Sequence, residues 1–273
     1  MNNLTAVAAL ALLFACGDDG KETGETGMTE TTTTTTTTTG TTTTTGTTGT
    51  TGTTGTTGTT GTTGVAKLRA IHLGVNVPGV DIFANDGKDA LVTNLEYTVA
   101  AGYLDVPAAT YDIDIAVSPG TAADSVLAAD GVALADGSAS TAVAYGELSD
   151  GLAVALLDDS IDGLDAANMR VNVMHGAYMV GEVDIWNITD AAAPGMLLEN
   201  VGYGAVANVD LPSASYVLGF DLDDDMRPDV SFTVPELPGG AVYEVIATSD
   251  DTGVFLSAFL PDNTFVKIEA DAG

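Results

Sequence analysis

Tyr111-Asp112-Ile113-Asp114-Ile115-Ala116-Val117 sets Tyr111, Ile113, Ile115 and Val117 on one side and Asp112 and Asp114 on the other. Successive Cβ atoms of a strand point to opposite faces, so this spacing predicts a half-buried β-strand. Outward from it, the same rhythm continues from Val65 to the C-terminus. It is interrupted by turn-forming clusters at Asn85-Asp86-Gly87, Ser118-Pro119-Gly120, Asp136-Gly137 and Ser149-Asp150-Gly151. No stretch carries a long apolar stripe of helical period. The Ala-rich segment 122–135 is read as a strand, because Gly131 and the Val/Leu spacing suit a sheet better than a helix. The expected class is all-β.

The rhythm is also doubled. Lys67-Leu-Arg-Ala-Ile-His72 followed by Val80-Asp81-Ile82-Phe83 returns as Arg170-Val-Asn-Val-Met-His175 followed by Val183-Asp184-Ile185-Trp186. Asp105-Val106-Pro107 with Tyr111 returns as Asp210-Leu211-Pro212 with Tyr216, and Gly151 to Asp159 is echoed by Gly253 to Asp262. The expectation is two tandem β-sandwich domains, 65–165 and 166–273, of immunoglobulin-like or transthyretin-like architecture, with their boundary near 162–168.

At these residues the chain resembles a bacterial family, the domain of unknown function numbered 4397. That family opens with basic-x-x-His, a Pro-containing loop and Val-Asp-hydrophobic-aromatic; its middle reads Tyr-Gly and then Leu-Pro-Ala-Gly-Thr-Tyr. Arg69, His72, Pro78, Val80, Asp81 and Phe83 fit the opening, and Pro107, Thr110 and Tyr111 the middle. Thr98 stands where glycine would follow Tyr97, and Ala109 where the turn glycine would be. The second copy keeps Tyr203-Gly204, lacks a proline before Val183 and has Ser213-Ala214-Ser215 in the turn. The resemblance spans residues 67–269. It implies tandem β-sandwiches in an exported protein and carries no known activity.

Ahead of this body lies a different kind of chain. Residues 4–15 form an apolar run of a signal peptide's length, too short for a stable transmembrane helix. It ends Leu13-Phe14-Ala15-Cys16-Gly17, which resembles the lipobox of bacterial lipoproteins. The resemblance implies removal of residues 1–15 and lipidation of Cys16, and hence a membrane partner through the lipid. Gly17 follows Cys16 where an inner-membrane retention signal would have Asp, so the expected address is the outer membrane of a Gram-negative cell envelope. Residues 16–64 hold Thr31 to Thr39 and a Thr-Thr-Gly repeat. Apart from Met28 this segment has no large apolar side chain to build a core, so a disordered linker is expected. Fully stretched, the tract from Thr29 to Gly64 would reach about 120 Å.

The formal charge is −31, from 38 Asp+Glu against 7 Lys+Arg. Such a surface repels phosphate backbones, so nucleic acid is excluded as a partner class. The hydrophobic fraction of 45% still supplies a core, built from aliphatic side chains because aromatics make up only 6%. The single cysteine, Cys16, leaves the body without a disulfide.

His72 and His175 each precede an Asp by nine residues, but on strands among apolar neighbours they read as structural, and two histidines without a second thiol make a poor zinc set. No catalytic residue is assigned. The most specific acidic cluster is Asp221-Leu-Asp223-Asp224-Asp225-Met226-Arg227-Pro228-Asp229, between expected strands at 216–220 and 230–234. It places carboxylates at positions 1, 3, 5 and 9 of a calcium-type loop. Asp221, Asp223, Asp225 and Asp229 are the candidate calcium ligands, and no other cofactor is expected. Met226 replaces the usual turn glycine, and Phe232 the usual Glu at position 12. The functional expectation is an envelope-anchored, non-catalytic binding, adhesion or surface-structural lipoprotein with a protein or glycan partner at the cell surface. The rival is an envelope hydrolase of glycans or peptides using acidic residues.

Overall fold

The computed structural model describes residues 64–85, 87–250 and 253–272. The expected signal peptide, Cys16 and the linker as far as residue 63 lie outside the described residues. Within them the chain is all-β, with no α-helix. The first nine strands are β1 (Val65–Val75), β2 (Val80–Ala84), β3 (Val92–Leu95), β4 (Val99–Ala100), β5 (Leu104–Pro107), β6 (Ala109–Val117), β7 (Ser125–Leu134), β8 (Ala139–Glu147) and β9 (Gly151–Asp158). The next nine are β10 (Asn168–His175), β11 (Val183–Asn187), β12 (Gly195–Val201), β13 (Val206–Pro212), β14 (Tyr216–Asp221), β15 (Val230–Val234), β16 (Val242–Asp250), β17 (Gly253–Phe259) and β18 (Phe265–Glu269).

Four sheets result. The first set of strands makes one sheet in the order β4-β1-β8-β9, with β5 also on β1, and another in the order β3-β2-β6-β7. The second set makes β13-β10-β16-β17-β18 and β12-β11-β14-β15. Neighbours are antiparallel except β1 with β8 and β10 with β16. In both sets the first two strands enter different sheets. This departs from the immunoglobulin order, in which they are neighbours in one sheet, so that alternative of the sequence reading does not describe the connectivity.

Tyr111 to Val117 lies within β6, with Ile113 and Ile115 buried and Asp112 exposed. The 122–135 segment opens with a short 3₁₀ turn at Ala122–Asp124 and continues as β7. The sheets carrying β1 and β10 behave differently, because both of their faces are covered. Ala70 and Ala144 pack with Val80, Ile82, Ile113 and Ile115 on one side of β1 and β8. Ile71, Leu73, Val143 and Leu157 pack with Met174, Ile246 and Phe259 on the other. The far side of β10 and β16 closes over Val183, Ile185, Phe220 and Phe232 through Val171, Tyr243 and Val245. Strands covered on both faces lose the alternation that marks a half-buried strand, and β16 is buried along nearly its whole length.

Candidate functional site

The polar residues that repeat along the chain are tied to the backbone. His72 Nδ1 accepts the Gly74 N–H at 3.2 Å, and its Nε2 donates to the Pro78 carbonyl at 3.2 Å. His175 does the same with the Ala177 N–H at 3.4 Å and the Gly181 carbonyl at 2.7 Å. A carbonyl can only accept, so the proton sits on Nε2 and Nδ1 has spent its lone pair. Burial lowers the pKa of both rings, leaving them neutral at pH 7. Each closes the loop between the first two strands of its set, edge-on to Tyr97 or Tyr203 at 6.2 and 6.1 Å.

Asp81 and Asp184 accept the N–H groups of Asn94 at 2.8 Å and Asn200 at 2.7 Å. Both asparagines have positive φ, 48° and 55°. Asp81 also takes the Gly120 N–H at 3.0 Å; the Asn94 bond leads in holding its carboxyl below the usual range, against burial. The Asp-x-Pro and Tyr motif is likewise structural. Lys67 pairs with Asp105 at 3.0 Å, and Arg170 grips Asp210 through two bonds of 2.8 and 2.9 Å. Tyr111 donates to the Pro107 carbonyl at 2.7 Å, and Tyr216 to that of Pro212 at 2.9 Å.

Two acidic groupings are not explained by the repeat. The first is the candidate calcium loop, which joins β14 to β15. Carboxylate oxygens of Asp221, Asp223 and Asp225 lie within 4.8 Å of one another. Asp229 is not gathered with them; its Oδ2 accepts the Leu222 N–H at 2.8 Å across the hairpin neck. Asp221 is buried, and its two oxygens accept the N–H groups of Asp223, Asp224 and Arg227 at 3.2, 2.9 and 3.1 Å. Burial alone would raise its pKa, but the backbone donors around it carry it below the usual range. Asp223 is raised, by burial first and then by the charges of Asp225, Asp229 and Asp221. Met226, at the usual glycine position, adopts φ 66°, so the sharp left-handed turn is made without the residue that makes it easily. Beside the loop, Glu182, Asp184, Asn200, Asp221, Asp223 and Asp224 line a cleft of about 230 Å³.

The second grouping sits between the β1 and β10 sheets. Arg69 and Thr141 face each other in register on β1 and β8, and Asn172 and Glu244 do so on β10 and β16. Arg69 is 1% exposed and Glu244 0%. Arg69 Nη2 lies 2.6 Å from Glu244 Oε2, a charge contact outside aligned hydrogen-bond geometry. Arg69 Nε donates to Thr141 at 2.9 Å, Nη1 to the Leu260 carbonyl at 3.3 Å, and the guanidinium lies 4.8 Å from the Tyr103 ring centre. Asp159, just past β9, accepts the hydroxyls of Tyr103 and Thr141 at 2.6 Å each and Asn172 Nδ2 at 3.3 Å. Burial pushes the Glu244 carboxyl well above the usual range, to about 8, with Arg69 opposing the rise and Asp159 adding to it. Of these residues the sequence reading singled out only Arg69. A charge inside an apolar run, as in Tyr243-Glu244-Val245-Ile246, was the available signal.

Comparison with known families falls on the first of these sets of strands. Residues 66–186 match the family described as "Domain of unknown function (DUF4397)". The DUF4397 match begins one residue into β1 and ends within β11, so it holds Arg69, His72, Asp81, Tyr111, Asp159, His175 and Asp184. It takes in all of the first set but Val65 and only the opening of the second. The search of curated proteins returned no match.

Proposed function

We propose that this chain is a cell-envelope lipoprotein whose residues 1–15 are removed, whose Cys16 is lipidated, and whose Thr/Gly linker displays two tandem β-sandwich modules, 65–165 and 166–273, as a non-catalytic binding or adhesion unit. Support for the anchor is the Leu13-Phe14-Ala15-Cys16-Gly17 sequence, and for the outer membrane the Gly17 that follows it. Support for doubling is the shared strand order of the two sets, together with the matching hydrogen bonds of His72 and His175 and of Tyr111 and Tyr216. The partner is a protein or glycan beyond the membrane surface, which a tether of this length would reach.

The observation that carries the binding reading is that the repeated His and Asp residues are spent on backbone groups, in two places and in the same way. The rival reading, a hydrolase, would need a carboxyl pair open to substrate, and Asp159 and Glu244 are 7% and 0% exposed. Screening the full-length protein on glycans, peptides and esters tests the choice. No turnover is expected; reproducible turnover lost on a single Asp→Asn change overturns the reading.

A further inference from the structure

The joint between the β1 and β10 sheets buries two carboxyl groups and a single guanidinium. Arg69, Glu244 and Asp159 are 1%, 0% and 7% exposed. A buried ion costs several kcal/mol unless it is compensated, and one guanidinium compensates one carboxylate. The donors are distributed unequally. Three converge on Asp159, from Tyr103, Thr141 and Asn172, while Arg69 is the one donor group against Glu244. With the donors gathered on Asp159, the arrangement suits a protonated, neutral Glu244.

We infer that Glu244 holds a buried proton, and that this proton is a pH-operated latch between the two sets of strands: present, it closes the β1–β10 joint, and its loss loosens it. The step is a simple acid dissociation. The Glu244 O–H breaks, its proton goes to solvent base, and two carboxylates remain against one guanidinium. Titratable or charged groups reach Glu244 from three directions: Arg69 on β1, Tyr103 in the segment between β4 and β5, and Asp159 after β9. The register neighbours on its own sheet, Asn172 on β10 and Phe259 on β17, are uncharged. The raised Glu244 pKa agrees with this reading, and the same rise sets the range of action. Below about 4.5 both folded and unfolded chains hold the proton, and between there and about 8 only the folded joint does, so the joint weakens as pH rises through that interval.

The test uses the full-length protein labelled with ¹³C at glutamate carboxyls. At pH 6.5 ordinary glutamates are ionised, so an infrared C=O band of protonated glutamate reports Glu244. The band is expected at pH 6.5 and lost above pH 8. Hydrogen exchange at β1, β8, β10 and β16, corrected for the intrinsic base-catalysed rate, should show opening that rises by up to about tenfold per pH unit from pH 5 to pH 8. Glu244→Gln, which keeps the shape without the ionisation, should abolish that rise. Absence of the glutamic-acid band at pH 6.5 overturns the proposal on the wild-type protein alone, and an unchanged slope in Glu244→Gln overturns it independently.

Discussion

Replacing Arg69 with methionine removes the only cation in the joint while keeping an unbranched apolar stem in its place. The change deletes the 2.6 Å contact to Glu244, the bonds to Thr141 and Leu260, and the guanidinium beside the Tyr103 ring. Taking one partner from a buried ion pair costs about 3–5 kcal/mol, because the remaining charge is left uncompensated. Stem packing is largely retained, so little of that loss would come from a cavity. The assay is urea unfolding of the full-length protein at pH 9, above the range in which Glu244 holds its proton, read as a shift in midpoint at constant slope. We expect one cooperative transition, since the joint couples both sets of strands, displaced by an amount in that range. Adding Glu244→Leu should return most of the loss, because apolar replacement of a complete buried pair is often neutral or stabilising. A loss under about 1 kcal/mol for Arg69→Met, well below the range for a buried pair, would refute the reasoning. So would a double variant no more stable than the single one.

Thr98 and Gly204 occupy matching places after Tyr97 and Tyr203, with φ of 62° and 79°. A β-branched residue in that region is strained by about 1–2 kcal/mol, and glycine gives back about 0.5–1 in chain entropy. Thr98→Gly should therefore raise stability by up to about 1 kcal/mol on thermal unfolding. Gly204→Thr should lower it by more than about 2 kcal/mol, because a Cβ there also collides with the Tyr145 hydroxyl; equal effects of the two changes would contradict this. For the Asp221 loop, calorimetry on the full-length protein is expected to show calcium binding in the range of weak extracellular sites, about 10⁻⁴–10⁻³ M. Binding should be lost in the Asp223→Asn, Asp225→Asn double variant and kept in Asp229→Asn, and no heat at millimolar calcium would remove the cation reading. On the acid side, Asp81 has a lowered pKa, so its contribution is full above about pH 3.8 and lost as pH falls. Glu244 acts in the opposite sense above about 4.5. Stability against pH should thus peak in the mildly acidic range; a maximum at pH 8 or above would be inconsistent with the Glu244 assignment.

Much of this was legible because half-buried strands write their faces into the sequence. The period of two at Tyr111–Val117 marks β6, and the apolar runs on either side of the acidic loop mark β14 and β15 to within a residue. The repeat pointed to residues whose work proved local: a tyrosine hydroxyl on the carbonyl four residues earlier, and a histidine on the loop just after it. Two things were hidden. The inner sheets are covered on both faces, so β1 and β16 show no alternation, and a charge in them looks like an exposed residue. The partners of that charge lie far along the chain, in β16 and just past β9, and nothing in the local pattern around Arg69 announces Glu244 or Asp159. Asp229 shows the converse limit. Its spacing suits a cation ligand, but the hairpin it closes turns its carboxylate onto the Leu222 N–H.

Display from a lipid tether is the claim on which the functional account depends. It is tested most directly by growing the expressing cells with labelled palmitate and comparing the wild-type chain with Cys16→Ser. The account predicts label on the wild-type protein, recovered in the outer-membrane fraction, and none on the variant; equal labelling of the two would contradict it.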